Sequence, residues 1–98
     1  DTEGYDFHIP RVRGDVYFEV KAHTSDPGYV DLERSQIMSA ASVASAKGGA
    51  RWGILYVAHV RDPDLITVHE LPNPYAAESA RFFRERQKGG VRLVMQRR

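Results

Sequence analysis

The sequence predicts an α/β (α+β) fold, a mixed central sheet with flanking helices, in a single domain of 98 residues. Three patterns carry this expectation. Two early runs alternate apolar and polar residues, residues 52–60 are almost continuously apolar, and two helical stretches each end at a Gly-Gly pair. The order reads strand, strand, helix, strand, strand, helix, then a short edge strand or docked tail.

In Gly4-Tyr5-Asp6-Phe7-His8-Ile9, Tyr5, Phe7 and Ile9 alternate with Asp6 and His8. From Asp15 to Ala22, Val16, Phe18, Val20 and Ala22 alternate with Tyr17, Glu19 and Lys21. Both runs read as half-buried strands, and the polar stretch between them suits a hairpin loop. Pairing Ile9 with Val16 sets Phe7 opposite Phe18 and Asp6 opposite Glu19. A slip by one residue would mismatch both faces, whereas a slip by two stays open. Gly28-Tyr29-Val30 briefly extends the sheet. Asp31 caps a helix over 32–47 with Ile37, Met38, Ala41 and Ala44 as its apolar stripe and Gly48-Gly49 as its stop. Residues 52–60 form a central strand covered on both faces. Asp62-Pro63-Asp64 turns the chain into a more amphipathic strand over 65–71. Asn73-Pro74 opens a second helix over 75–87, stopped by Gly89-Gly90, and 91–95 forms the edge strand or docks.

The composition, with 42% hydrophobic and 28% charged residues, is that of an ordinary globular domain. No apolar stretch is long enough to span a bilayer, and no signal-peptide pattern opens the chain. Without cysteine there are no disulfides or thiolate metal sites, which fits a reducing, cytoplasmic setting. The chain opens at Asp1 without methionine, shortly before its first strand, and so reads as a piece of a longer protein. Net charge is +1, but Arg81, Arg84, Arg86, Lys88, Arg92, Arg97 and Arg98 crowd the last quarter while the rest is net acidic. A basic segment beside an acidic cluster suits an enzyme that tracks phosphates; a solvated helix face followed by a tail has the same composition.

The register brings together Asp6, Glu19 and Lys21, two carboxylates and an ammonium on one face. Like charges opposed in a sheet are destabilising unless a cation lies between them, and a divalent metal held against a phosphodiester meets that need. The competing interpretation is an exposed hairpin with a nearly neutral surface ion pair. His8 shares the face of Asp6, and His23 lies two beyond Lys21; either reaches phosphate or metal, or is simply an exposed strand-end histidine. His59 and His69 can face each other across the 62–64 turn, but no further zinc ligand accompanies them. Tyr17 either stacks on a base or packs at the rim. Ser35, Ser39, Ser42 and Ser45 read as small packing residues without a histidine–acid pair to activate them, and no Walker pattern is present.

Gly4-Tyr5-Asp6, then Tyr17-Phe18-Glu19-Val20-Lys21, a helix near Ser35-Gln36 and the run 52–60 together resemble the PD-(D/E)xK nuclease superfamily. Within it, the chain is most similar to the domain at the C-terminus of the plant NO VEIN protein and of many large prokaryotic ATPases, helicases and restriction-associated proteins. The resemblance covers residues 4–74, leaving a basic C-terminal helix and tail over 75–98. It implies a restriction-endonuclease-like fold, with Asp6 and Glu19 as metal-binding carboxylates and the Val20 carbonyl as third ligand. The implied ion is Mg²⁺, with Mn²⁺ as a substitute. It further implies that Lys21 activates the attacking water or stabilises charge on the phosphate, and that Gln36 orients a water or ligand where relatives often carry Glu. His23, Arg81, Arg84 and Lys88 would contact nucleic acid. Relatives usually begin with a helix and a strand that are missing here, which predicts a fold that is incomplete or is completed by a further segment or a partner chain. The implied partners are DNA and other domains of a parent ATPase or helicase, with no membrane and a homodimer left open. The expectation is thus a Mg²⁺-dependent endonuclease, the effector of a larger defence or DNA-processing protein; the alternative is a non-catalytic nuclease-like module that docks nucleic acid or a partner domain.

Overall fold

A computed structural model describes residues 3–76 and 82–96. Its elements are β1 (Phe7–Ile9), β2 (Val16–Ala22), β3 (Tyr29–Glu33), α1 (Arg34–Ser45), β4 (Arg51–Ala58), β5 (Thr67–Leu71), β6 (Phe82–Gln87) and β7 (Gly90–Met95). The architecture is α+β, with one helix among the described residues. There are two sheets where the sequence suggested one. The first is mixed, in the order β1-β2-β4-β5, with β2 and β4 parallel; the second is antiparallel, in the order β3-β7-β6.

The first hairpin follows the alternation of its side chains. Ile9 pairs with Val16 and Phe7 with Phe18, the register set by matching apolar residues. The face that turns inward is the surprise. Glu19, midway along β2, is buried at 4% exposure, whereas Phe7 on the opposite face is 54% exposed. The inner face of the first sheet carries Trp52, Ile54, Tyr56 and Ala58 of β4, all buried, and joins Ala40 of α1 and Val30, Leu32 and Leu93 of the second sheet in one core. Strand β4 is central, as its apolar run predicts, but no described element covers its second face. There Phe7, Phe18, Val20, Leu55, Val57 and Val68 lie exposed or half-buried.

Three sequence expectations are corrected here. Residues 29–33 are a strand of the second sheet, and the helix starts at Arg34 with Glu33 as N-cap, not at Leu32 behind Asp31. The reason is pairing: Val30 and Leu32 alternate into the core while Asp31 faces out beside Arg92 of β7. The helix stripe is also shifted. Gln36 and Ala40 are its buried residues, with Ile37 and Val43 packed alongside, and Met38 is 64% exposed. The last six residues of the expected second helix are instead strand β6, which pairs with β7 across a turn at Lys88 and Gly89. Gly89 has φ of +77° and completes the Lys88-Gly89 hairpin turn, with Gly90 opening β7, a role a Gly-Gly pair fills as readily as a helix stop. Residues 77–81 of the proposed helix lie outside the described residues.

Gly4 fastens the segment leading into Asp6. Its φ is +82°, its carbonyl accepts the Trp52 indole N–H at 3.2 Å, and an added Cβ would stand 2.2 Å from the Ser35 carbonyl oxygen. Both the backbone conformation and the close approach require glycine. Gly4→Ala is expected to destabilise the domain by about 2–4 kcal/mol, read as a lowered melting temperature. No helix in the described residues is long and apolar enough to cross a membrane.

Candidate active site

The ladder between β1 and β2 ends at Phe7, one residue after Asp6. The Asp6 N–H donates to the Phe18 carbonyl at 2.8 Å, and Asp6 Oδ2 accepts the Val20 N–H at 2.8 Å. A side chain thus takes the place of a ladder bond and holds this carboxylate at the strand edge. Backbone alternation turns the Val20 carbonyl to the same edge.

Glu19 anchors the interior of the cluster. Its Oε2 accepts the Gln36 Nε2–H at 3.0 Å and lies 3.6 Å from Lys21 Nζ. Lys21 Nζ in turn donates to Gln36 Oε1 at 3.0 Å, and the same oxygen accepts the Glu33 N–H at 2.9 Å. Gln36 therefore does two jobs. Its oxygen closes the capping box at the start of α1, and its two ends clamp Glu19 and Lys21 into one triangle. Because the oxygen has two donors and the nitrogen faces a carboxylate, this amide has only one sensible orientation.

Glu19 Oε1 is buried and has no hydrogen-bond partner. Burial pushes the Glu19 carboxyl up to about 7; Lys21 pulls it down, and the neighbouring Asp6 carboxylate pushes it further up. An orphaned buried oxygen beside a second carboxylate fits a hard divalent cation, which takes oxygen ligands. Asp6, Glu19 and the Val20 carbonyl are the groups that would hold it. Among the described residues no cluster of three or more His, Cys, Asp or Glu side chains gathers, so the site is built on two acids.

The histidines lie elsewhere. His8 stacks on Tyr17 with ring centroids 4.7 Å apart, and its Nε2 lies 2.7 Å from Asp15 Oδ2, toward the hairpin loop. That contact lowers the Asp15 carboxyl below its ordinary range. Tyr17 is also packed by Tyr5 at 4.8 Å, which makes it a rim residue between two rings. His23 shares the face of Lys21, but its ring packs against Tyr56 and Tyr29 and its Nε2 is buried without a partner. The expectation of an exposed strand-end histidine is therefore corrected. His69 sits opposite Tyr56 rather than His59, so the zinc pairing is not formed. Arg84 lies on β6 and Lys88 in the β6–β7 turn, while Arg81 is outside the described residues.

Sequence reasoning missed Glu33, whose Glu-x-x-Gln spacing to Gln36 is a capping-box signal hidden by an unusual N-cap residue. It also missed Arg86 and the pairing of Arg92 with Asp31. Arg92 Nε and Nη2 bond both Asp31 oxygens at 2.8 and 3.1 Å while the guanidinium lies 3.9 Å over the Tyr29 ring. A cavity of about 630 Å³, bordered by Phe18, Trp52, Gly53 and Leu71, has none of the cluster's residues in its wall.

Against family models, curated proteins and solved structures, the chain finds no match.

Proposed function

We propose that the chain is a metal-dependent nuclease domain of the PD-(D/E)xK type, hydrolysing DNA phosphodiester bonds as part of a larger defence or DNA-processing protein. The observation that carries this reading is the buried, half-unpartnered Glu19 carboxylate beside Asp6, with Lys21 clamped next to it. The mixed sheet, with β2 and β4 parallel and α1 packed on β4, supports a restriction-endonuclease-like arrangement of these elements. When bound, Mg²⁺ supplies Lewis-acid polarisation of the phosphodiester and activation of the attacking water. Lys21 offers a fixed positive charge to the phosphate as negative charge builds there. Gln36 holds that charge in place, and Glu19 must shed its proton for the metal to enter. Burial around Glu19 strengthens each of these interactions.

A second reading, a nuclease-like module without catalysis, is favoured by one observation: Gln36 adds no charge, so the cluster has only two acids. Calorimetry with Mg²⁺ and Mn²⁺, run with a plasmid-cleavage assay, separates the two. The wild-type chain is expected to bind metal and nick DNA, and Asp6→Ala to lose both. Absence of metal binding at millimolar concentration would decide for the binding module.

A further inference from the structure

The β6–β7 hairpin presents a cationic cleft outside the acid cluster. Arg84 and Arg86 are two apart on β6 and therefore point to one face, about 7 Å apart along the strand. With Tyr75, Ile37 and Val91 they line a cleft of about 540 Å³. The Arg84 guanidinium lies 4.7 Å over the Tyr75 ring, which orients it without using its hydrogen-bond donors. Neither arginine is in an ion pair with a carboxylate among the described residues. Glu85, the acid between them, alternates to the opposite face and pairs in register with Arg92. Lys88 in the adjoining turn adds a third cation at the same end.

The cleft and the acid cluster share the first turn of α1. Gln36 reaches Glu19 and Lys21, and its neighbour Ile37 lines the cleft.

We infer that Arg84 and Arg86, with Tyr75 behind them, form a phosphate-binding cleft that grips the backbone of the nucleic-acid strand flanking the acid cluster. The inference rests on the nuclease reading for what the strand is, but not for whether it binds. Two guanidiniums without carboxylate partners among the described residues match two successive phosphates.

The test is anisotropy of a labelled 12-nucleotide single-stranded DNA with the full chain, in chelator so that no cleavage occurs. Arg84→Gln/Arg86→Gln should weaken binding at least about tenfold and reduce the slope of log affinity against log salt by about 1.4, the share of two phosphates. Arg84→Lys/Arg86→Lys should keep most of that slope. Arg11→Gln/Arg13→Gln removes equal charge from the far hairpin loop and should have a smaller effect. If the double variant melts early, Arg86→Gln alone should still lower the slope by about 0.7. Wild-type affinity and slope in the double variant, a loss no larger than in the loop control, or no binding by the wild type each overturn the inference. Binding through these arginines by a chain that never cleaves DNA with Mg²⁺ would leave the cleft standing and remove the nuclease reading.

Discussion

Glu19→Gln is expected to abolish cleavage while making the folded chain more stable at alkaline pH. The stability half follows from linkage. The Glu19 carboxyl is raised from 4.5 to about 7, so between those values the folded chain binds more proton than the unfolded chain. The stability linked to this proton is fully present below about pH 4.5 and is lost as pH rises through about 7. At pH 8 the wild type carries a buried carboxylate with one unpartnered oxygen, at a cost on the order of 3 kcal/mol before solvent relaxation reduces it. The isosteric amide keeps an oxygen for Gln36 and removes the charge. Melting at pH 8 should therefore show Glu19→Gln above wild type, with the gap closing by pH 4.5. The functional half follows from the same proton. Metal affinity of the wild type should rise about tenfold per pH unit up to about 7 and then level, since the ion must displace the proton. Glu19→Gln should show neither metal-dependent stabilisation nor cleavage, a loss of at least about a thousandfold. A variant less stable than wild type at pH 8 would mean that Glu19 is not the strained group described.

The second large effect is expected at Lys21. Lys21→Met removes a cation held at 3.0 Å from Gln36 and 3.6 Å from Glu19, while Gln36 Oε1 keeps the Glu33 N–H. In the proposed mechanism its share of the chemistry is stabilisation of charge on the phosphate, so kcat should fall by about a hundred- to a thousandfold with KM little changed. Removing Lys21 also removes the neighbour that pulls the Glu19 carboxyl down. Metal binding should therefore need higher pH, and at pH 8.5 it should return to within about tenfold of wild type. Lys21→Arg is not expected to rescue kcat, because a planar fork cannot replace a compact ammonium between two side chains. A variant with wild-type kcat at pH 8.5 would reduce Lys21 to a structural ion pair.

The first hairpin and the three residues of the acid cluster were legible because their signals are local. Period-two alternation in 5–9 and 16–22 excludes a slip by one residue, and of the registers left the structure takes the one that carries Asp6 toward Glu19. The central place of β4 was legible for the same reason: an uninterrupted apolar run suits only an inner position in a sheet. Residues 82–87 were not legible. Phe82-Phe83-Arg84-Glu85-Arg86-Gln87 suits a helix and a strand about equally, and Gly89-Gly90 ends the one or turns the other. The choice falls to pairing with β7 and, through it, with β3 some sixty residues earlier.

Sequence by itself determined which side chains share a face, since alternation along a strand is a property of the backbone. Which face becomes the inside was decided only by tertiary structure. Helix α1 and the second sheet settle on the Trp52–Ile54–Tyr56 side of β4, and parallel pairing forces the Glu19 face of β2 to follow. An acid that reads as a surface residue is thereby buried, and it is burial that gives its carboxyl a raised pKa and an unpartnered oxygen.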